Sequence, residues 1–210
     1  MKIEILKKFE ELPCFTKTNL RLFQDNSDFS FDKNIQNWLK KGLIKKLKNG
    51  LYVAEKYILK EKESTLYQEF IANKLLWPSY LSGEYVLQKY NILTEAIYSL
   101  TSITSKTTRS FENSLAVFRY YNLKKELFLG FKEIDFGRFK ILIASKAKAL
   151  FDFVYLKKDN FQEFSQKEVE EMRLNLDEIN KKDMKELEEY INLSKDEKMF
   201  NFYKNLKKIC

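Results

Sequence analysis

The chain has 210 residues, of which 44% are hydrophobic, including 18 Phe and 12 Tyr, so it can bury a substantial core and disorder is not expected. Its formal net charge of +8 favours a polyanionic or acidic partner. It has no His and only two Cys, which excludes a Ser-His-Asp triad, a His-ligated metal and a disulfide framework.

The first residues are too charged for a signal peptide, and no apolar run approaches the ~20 residues that span a bilayer. We therefore expect a cytoplasmic protein without a membrane partner. There is no Gly-rich phosphate loop and no carboxylate cluster with metal spacing, so neither a cofactor nor a metal is expected.

The first helix is predicted over residues 2–12, where apolar residues recur at helical spacing. Pro13 ends it, and Thr16 is the predicted N-cap of a short helix over Lys17–Phe23. Residues 24–28 are predicted to form a polar turn. The inward face of the first helix is predicted to consist of Ile5, Leu6, Phe9 and Leu12.

The stretch Ser30–Val53 is predicted to form a helix, a glycine stop and a two-stranded hairpin. Ser30 is the predicted N-cap, and Gly42 stands where a helix needs a left-handed residue to end. The apolar face of this helix consists of Phe31, Ile35, Trp38 and Leu39. The opposite face and its flanks consist of Lys33, Asn34, Gln36, Asn37, Lys40 and Lys41.

The hairpin strands are predicted over residues 43–47 and 51–53. Asn49-Gly50 between them predicts a type I′ turn, because both residues tolerate positive φ. Between residues 33 and 48 there are six lysines and no acidic residue. The hairpin therefore presents a strongly basic tip.

A polar helix face followed by a basic hairpin is the arrangement of a winged helix-turn-helix, whose helix reads base edges while the wing neutralises phosphates. The alternative is a solvated surface helix beside an ordinary hairpin. Residues 1–60 hold 13 basic against 7 acidic residues, so the basic surplus is local, as a DNA-binding domain requires. The predicted DNA-contacting residues are Thr16, Lys17, Lys33, Asn34, Gln36, Asn37, Lys40, Lys41, Lys45, Lys46, Lys48 and Asn49.

A second domain is predicted over residues 61–210. It opens with a helix over residues 61–76, and Ser82 is positioned to cap a further helix over residues 83–90. Aromatic and β-branched runs then predict a mostly antiparallel sheet within about residues 96–144, with Gly137 in its last turn. The predicted strands are 96–104, 115–121, 127–134 and 139–144. The inward residues of the first helix are Tyr67, Phe70, Ile71 and Leu75.

Helices are predicted after residue 145. Ser145 caps the first, and capping boxes begin at Ser165 and Ser194. Two or three amphipathic helices over residues 161–208 are predicted to pack back on the second domain. The predicted fold class is α+β: an N-terminal winged helix-turn-helix over residues 1–60, then a mixed α/β domain with a helical C-terminal end.

Candidate chemistry outside the first domain is sparse. Ser145 to Lys148 matches the S-x-x-K nucleophile motif, but its companion Lys-Thr-Gly and Ser-Asp-Asn motifs are absent and Ser145 is explained as an N-cap. We therefore predict no catalytic residue and no enzyme. Lys106, Arg109 and Arg119 remain candidates for a phosphate or partner contact, with a surface loop and structural ion pairs as the alternatives.

Seven segments stand out in chain order: Phe15-Thr16, the hairpin 43–53, Pro78–Glu84, Tyr98–Thr104, Phe118–Tyr120, Ile143–Ser145 and Lys148–Asp152. In this order they resemble the motifs of AbiEi-type antitoxins, the transcriptional-regulator half of type IV toxin–antitoxin systems linked to abortive phage infection. The resemblance covers roughly residues 12–156. The chain departs from the family at Lys146-Ala147, where Pro-Glu is common, and in its long turn before the third helix.

The resemblance implies an N-terminal winged helix that binds double-stranded DNA in its own promoter and represses the operon. It also implies a C-terminal domain that opposes a nucleotidyltransferase-like toxin, with or without a stable complex. The alternative is a winged-helix transcriptional regulator whose second domain senses a ligand or dimerises, outside any toxin–antitoxin pair.

Overall fold

The computed structural model describes residues 3–22 and 28–209, and it is a mixed α+β structure, as predicted. In this part of the chain the helices are α1 (Ile3–Lys7), α2 (Lys17–Arg21), α3 (Asp28–Lys40), α4 (Glu55–Lys60), α5 (Ser64–Leu75), α6 (Gly83–Lys89), α7 (Lys146–Lys157), α8 (Gln166–Glu171), α9 (Lys181–Ser194) and α10 (Glu197–Ile209). The strands are β1 (Phe15–Thr16), β2 (Ile44–Lys48), β3 (Leu51–Ala54), β4 (Ser79–Leu81), β5 (Ser99–Thr104), β6 (Arg109–Glu112), β7 (Val117–Asn122), β8 (Phe131–Asp135) and β9 (Lys140–Ala144).

The first helix is shorter than predicted. It ends at Lys7 and is followed by turns, and Leu12 is 41% exposed instead of facing inward. Leu6 and Phe9 are buried as expected, and the Phe9 ring contacts the Phe15 ring with centroids 5.0 Å apart. This contact draws the chain toward β1, so the helical spacing is not continued.

Helix α3 begins at Asp28, so Ser30 lies within it and the predicted N-cap was wrong. Its end was predicted correctly: Gly42 has φ +67°, its N–H donates to Leu39 O at 3.0 Å, and the Leu43 N–H donates to Trp38 O at 2.9 Å. These paired bonds satisfy the last carbonyls of the helix. Of the turn predicted over residues 24–28, Asp28 is the first residue of α3 and residues 24–27 lie outside the described part, as do the Phe31 side chain and Cys210.

The N-terminal elements enclose a three-stranded antiparallel sheet in the order β1-β3-β2. Ile35 and Trp38 of α3 are buried, as are Ile44 and Leu47 of β2, because the apolar stripe of the helix packs on the hairpin. Strand β1 was not predicted, since two residues carry no periodic signal. It pairs with β3 through Phe15 opposite Tyr52 and Thr16 opposite Leu51, and the bond from the Lys17 N–H to Gly50 O at 3.1 Å follows directly after it.

The hairpin forms where predicted, but its turn is not type I′. That turn needs positive φ at both central residues, and of the two only Gly50 has it, at +79°. The pairing also shifts by one residue between Lys46 and Lys48. This bulge lets Ile44 and Leu47 both face the core while the lysines between and after them face outward or sideways.

The larger sheet has six strands in the order β6-β7-β5-β4-β9-β8. Three of its five neighbouring pairs are antiparallel, and β5 with β7 and β4 with β9 are parallel. Helix α5 covers one face, where the Tyr120 hydroxyl donates to Ala72 O at 2.6 Å. Helices α6 and α7 cover the other face. Strands β4 and β6 were not predicted, and β8 begins at Phe131 because residues 125–127 form a 3₁₀ turn.

Of the helices after residue 145, α7 packs on this second face, α9 packs on α7, and α10 packs on α8 and α9. Ser145 and Ser165 cap α7 and α8 as predicted. The capping box predicted at Ser194 was wrong: Asp196 accepts the Met199 N–H at 3.3 Å at the start of α10. Ser194 instead donates to Ile191 O and ends α9, since Lys195 takes a left-handed conformation.

Contacts cross the predicted boundary at residue 60. The Tyr67 hydroxyl donates to Pro13 O at 2.7 Å, and Asn113 Nδ2 donates to Leu47 O at 3.1 Å. Arg138 Nη2 donates to the Tyr57 hydroxyl at 2.9 Å. Within the described residues, no helix has the length and apolar character needed to cross a membrane.

Candidate nucleic-acid interface

The outer face of α3 is polar and accessible. Its apolar stripe turns toward the hairpin, so the residues between the stripe positions face solvent. Lys33, Gln36, Asn37 and Lys40 are exposed, as is Lys41 after the helix, and Asn34 is half-buried. These side chains form one candidate surface, which we call the helix face.

Two predicted residues of α2 have structural partners. The Thr16 hydroxyl accepts the Asn19 N–H at 3.1 Å and the Thr16 N–H donates to Asn19 Oδ1 at 2.9 Å, which together form a capping box. Lys17 forms an ion pair with Asp32 at the start of α3. Both residues therefore fix α2 and orient it against α3.

The three hairpin lysines lie in three different environments. Lys45 forms an ion pair with Glu55 at 3.5 Å, so part of its charge is neutralised by the first residue of α4. Lys46 and Asn49 are exposed at the tip. The Lys48 side chain reaches the end of α5, beyond the predicted boundary at residue 60, where its Nζ donates to Leu75 O at 2.7 Å.

Lys46, Lys48 and Asn49 line a groove of about 570 Å³ between the hairpin and the edge strand β6. We call it the hairpin groove. On its far side stands Arg109, one of the three candidates that sequence analysis placed outside the first domain. The complete lining consists of Lys46, Leu47, Lys48, Asn49, Leu75, Leu76, Arg109, Ser110, Phe111 and Glu112.

Lys48, which lines the groove, lies close enough to Lys106 and Arg109 to feel their charges. Burial lowers the pKa of the Lys48 ammonium, and the neighbouring charges of Lys106 and Arg109 lower it further. The Arg109 guanidinium is oriented by Thr107, whose Oγ1 accepts from Nη2 at 2.6 Å. Like charges held together in this way favour a bound anion.

Arg119 lies apart from this group. It pairs with Thr101 and Ser110 across the sheet, whereas Arg109 pairs with Tyr120. Since successive residues of a strand point to opposite faces, the Arg119 side chain leaves the sheet on the face opposite to Arg109. The structure therefore brings Lys106 and Arg109 together and separates Arg119 from them.

Sequence analysis missed a buried polar centre between the sheet and α7. Lys148 Nζ donates to Asp152 Oδ1 at 2.6 Å, and Asp152 Oδ2 accepts from the Ser82 hydroxyl at 2.6 Å and the Tyr80 hydroxyl at 3.1 Å. Burial raises the pKa of Asp152 and lowers that of Lys148, while their mutual attraction acts in the opposite direction on each. The i, i+4 spacing of the two charges on α7 was the available signal.

The contacts of Ser145 and Lys148 account for the S-x-x-K match in structural terms. Lys148 is directed at Asp152, while the Ser145 hydroxyl donates to Glu186 Oε1 at 2.6 Å and accepts the Lys148 N–H at 3.1 Å. Ser145 thus serves as an N-cap and as a link to α9. Ser82 occupies the N-cap position of α6, but its hydroxyl bonds to Asp152 instead of capping the helix.

In the described ranges, no group of three or more Cys, Asp or Glu side chains is arranged to hold a metal ion. Comparison with known proteins gives no family: no protein-family model matches the chain, and no curated protein matches it.

Proposed function

We propose that the chain is a winged-helix DNA-binding protein that represses its own operon and acts as the antitoxin of a nucleotidyltransferase-like toxin. The observation that carries the DNA-binding part is the exposed helix face, which stands beside a hairpin whose tip carries Lys46 and Asn49. From residue 33 to residue 54 this unit contains no acidic residue. Duplex DNA is the polyanion whose major groove admits such a helix.

The two parts of this surface have different tasks. Gln36 and Asn37 carry amides, which can donate to and accept from the same base edge, so they read sequence. Lys33, Lys40 and Lys46 contact phosphates and supply affinity without sequence information. Lys45 contributes less than its neighbours, because Glu55 already partners it.

The antitoxin part is supported by the resemblance to AbiEi-type antitoxins. Three of the segments that carry it meet in the buried polar centre and beside it: Tyr80 and Ser82 bond to Asp152, and the Thr101 hydroxyl donates to Ser82 O at 2.5 Å. A set of motifs that builds one structural centre is more informative than scattered matches.

Fluorescence anisotropy with a duplex from upstream of the chain's own gene tests DNA binding. We expect the full chain to bind this duplex more tightly than a random duplex of equal length, with a strong salt dependence. Equal, salt-independent affinity for both duplexes would overturn the proposal.

Co-expression with the adjacent gene tests the antitoxin activity. The full chain should restore growth to cells that express a neighbouring nucleotidyltransferase-like gene, and the variant Asn37→Ala, which is impaired only in DNA readout, should restore it equally well. Repression without any rescue would instead identify a transcriptional regulator outside a toxin–antitoxin pair.

A further inference from the structure

The hairpin groove is built by two parts of the chain that sequence analysis assigned to different domains. One wall is the hairpin with Lys46, Lys48 and Asn49, and the other is the edge strand β6 with Arg109 and Ser110. We propose that this groove holds the phosphate backbone of duplex DNA, so that the six-stranded sheet binds the same DNA as the hairpin. The proposal rests on the DNA-binding function proposed above and extends its surface beyond residue 60.

Two hydrogen bonds fix the positions of the two walls of the groove relative to each other. Asn113, just after β6, donates through Nδ2 to Leu47 O at 3.1 Å, which ties the edge of the sheet to the hairpin backbone. Lys48 Nζ donates to Leu75 O at 2.7 Å at the last residue of α5, where a cation is favourable. The groove therefore exists before any ligand binds, and little ordering cost is left for binding.

The cations of the groove are positioned for phosphate. The Thr107 carbonyl accepts from Arg109 Nε at 3.4 Å and its hydroxyl from Nη2, so the planar guanidinium is fixed while Nη1 remains directed away from these two bonds. A guanidinium binds phosphate through paired N–H donors, and a lysine ammonium binds it as a point charge. The Asn49 side chain adds an uncharged donor to the lining.

The position of the groove favours a polymer over a free anion. Its lining joins the hairpin tip, where Lys46 and Asn49 are exposed, to Arg109 on the sheet edge, so its cations come from two separate parts of the surface. A backbone that runs along the hairpin meets the sheet edge next.

The test uses full-length protein and anisotropy titrations against the upstream duplex and a random duplex at several salt concentrations. In Lys106→Gln/Arg109→Gln, log K should depend less steeply on log salt, by about 0.9 for each lost phosphate contact. Both duplexes should lose affinity by the same factor, because the lost contacts carry no sequence information. Arg119→Gln is the matched control, since it removes an exposed arginine from the opposite face of the sheet and should leave the slope unchanged.

A urea unfolding midpoint of Lys106→Gln/Arg109→Gln equal to that of the wild-type protein excludes loss of folding as an explanation. The proposal is overturned if Lys106→Gln/Arg109→Gln keeps the wild-type slope while Lys46→Gln reduces it, and in that case the DNA-binding function stands. It is also overturned if Arg119→Gln weakens binding as much as the double variant. Wild-type protein that binds neither duplex would overturn the proposed function itself.

Addition of inorganic phosphate distinguishes a free anion from DNA as the ligand of the groove. If phosphate raises the melting temperature of the wild-type protein but not of Lys106→Gln/Arg109→Gln, while DNA binding is the same for both, the groove takes a free anion and the proposal fails. If log K for DNA depends less steeply on log salt in the double variant, and phosphate raises the melting temperature of neither protein, the result supports duplex DNA as the ligand.

Discussion

Asp152 accepts a 2.6 Å hydrogen bond from the ammonium of Lys148, one turn earlier on α7, and both side chains are almost completely shielded from water. The second carboxylate oxygen is satisfied by two hydroxyls from β4 and the residue that follows it. The pair therefore joins the helix to the sheet, and each charge depends on the other for its burial.

Replacement of Lys148 or Asp152 alone should strongly lower the stability of the fold. Lys148→Met is expected to lower the free energy of unfolding by about 3–5 kcal/mol, because the carboxylate of Asp152 remains buried without a cation. Urea denaturation measures this loss. Lys148→Met/Asp152→Asn should lose less than the sum of the two single variants, since the amide oxygen still accepts from Tyr80 and Ser82; strictly additive losses would contradict the coupling.

Gly130 provides a packing test beside the same pair. An added Cβ would lie 2.7 Å from Tyr190 Cζ and 2.9 Å from Lys148 Cδ, at a backbone φ of +79°. Gly137 has a similar φ of +77° with no atom within 4 Å, so Gly137→Ala isolates the backbone cost. Gly130→Ala should therefore be less stable than Gly137→Ala by about 1–3 kcal/mol, the usual cost of overpacking. Equal midpoints in denaturant would show that the neighbours move aside freely.

The exposed lysine at the hairpin tip should contribute one phosphate contact. Lys46→Gln is expected to reduce the slope of log K against log salt by about 0.9, with equal loss of affinity for the upstream and random duplexes. Lys62→Gln removes an equally exposed lysine between α4 and α5 and serves as the control. A slope change of the same size in Lys62→Gln would indicate an effect of net charge alone.

The amide of Asn37 should carry sequence information. Asn37→Ala is expected to cost roughly 1–3 kcal/mol of binding free energy on the upstream duplex and much less on a random duplex. The comparison of the two affinities at one salt concentration measures discrimination directly. If both duplexes lose the same amount, Asn37 contacts the backbone or nothing at all.

The stability contributed by the start of α8 should decrease at acidic pH. The backbone N–H groups of Gln162 and Ser165 donate to the Glu168 carboxylate and hold its pKa below the usual value. A carboxyl whose folded pKa is depressed contributes stability that is present above its unfolded pKa, near 4.3, and is lost as pH falls through the folded value. Glu168→Gln should therefore be less stable than wild type at pH 6, and the two unfolding midpoints should converge toward pH 3.

The sequence predicted well those features that depend on local spacing. The apolar stripe of α3, the inward residues of α5 and the helix starts at Ser145 and Ser165 follow from side-chain periodicity and capping, which act over a few residues. Gly42 was recognised for the same reason, because one left-handed residue is enough to end a helix.

Features that depend on distant partners were not predictable. The short strands β1, β4 and β6 exist because other strands pair with them, and their own sequences carry no alternation. The different positions of Lys45 and Lys48 depend on Glu55 and on the Leu75 carbonyl, which no pattern within the hairpin reveals. The DNA-binding residues and the boundary at residue 60 stay predictions.

Arg138 reaches from the turn after β8 to the Tyr57 hydroxyl and the Glu61 carboxylate, and Tyr67 reaches back to Pro13. A fragment of residues 61–210 would keep Glu61 as an acceptor for Arg138 but would remove the Tyr57 hydroxyl. It would also remove the Pro13 carbonyl that Tyr67 contacts and leave the Leu75 carbonyl without its lysine donor. Point substitutions in the intact chain are therefore the sounder way to separate its activities.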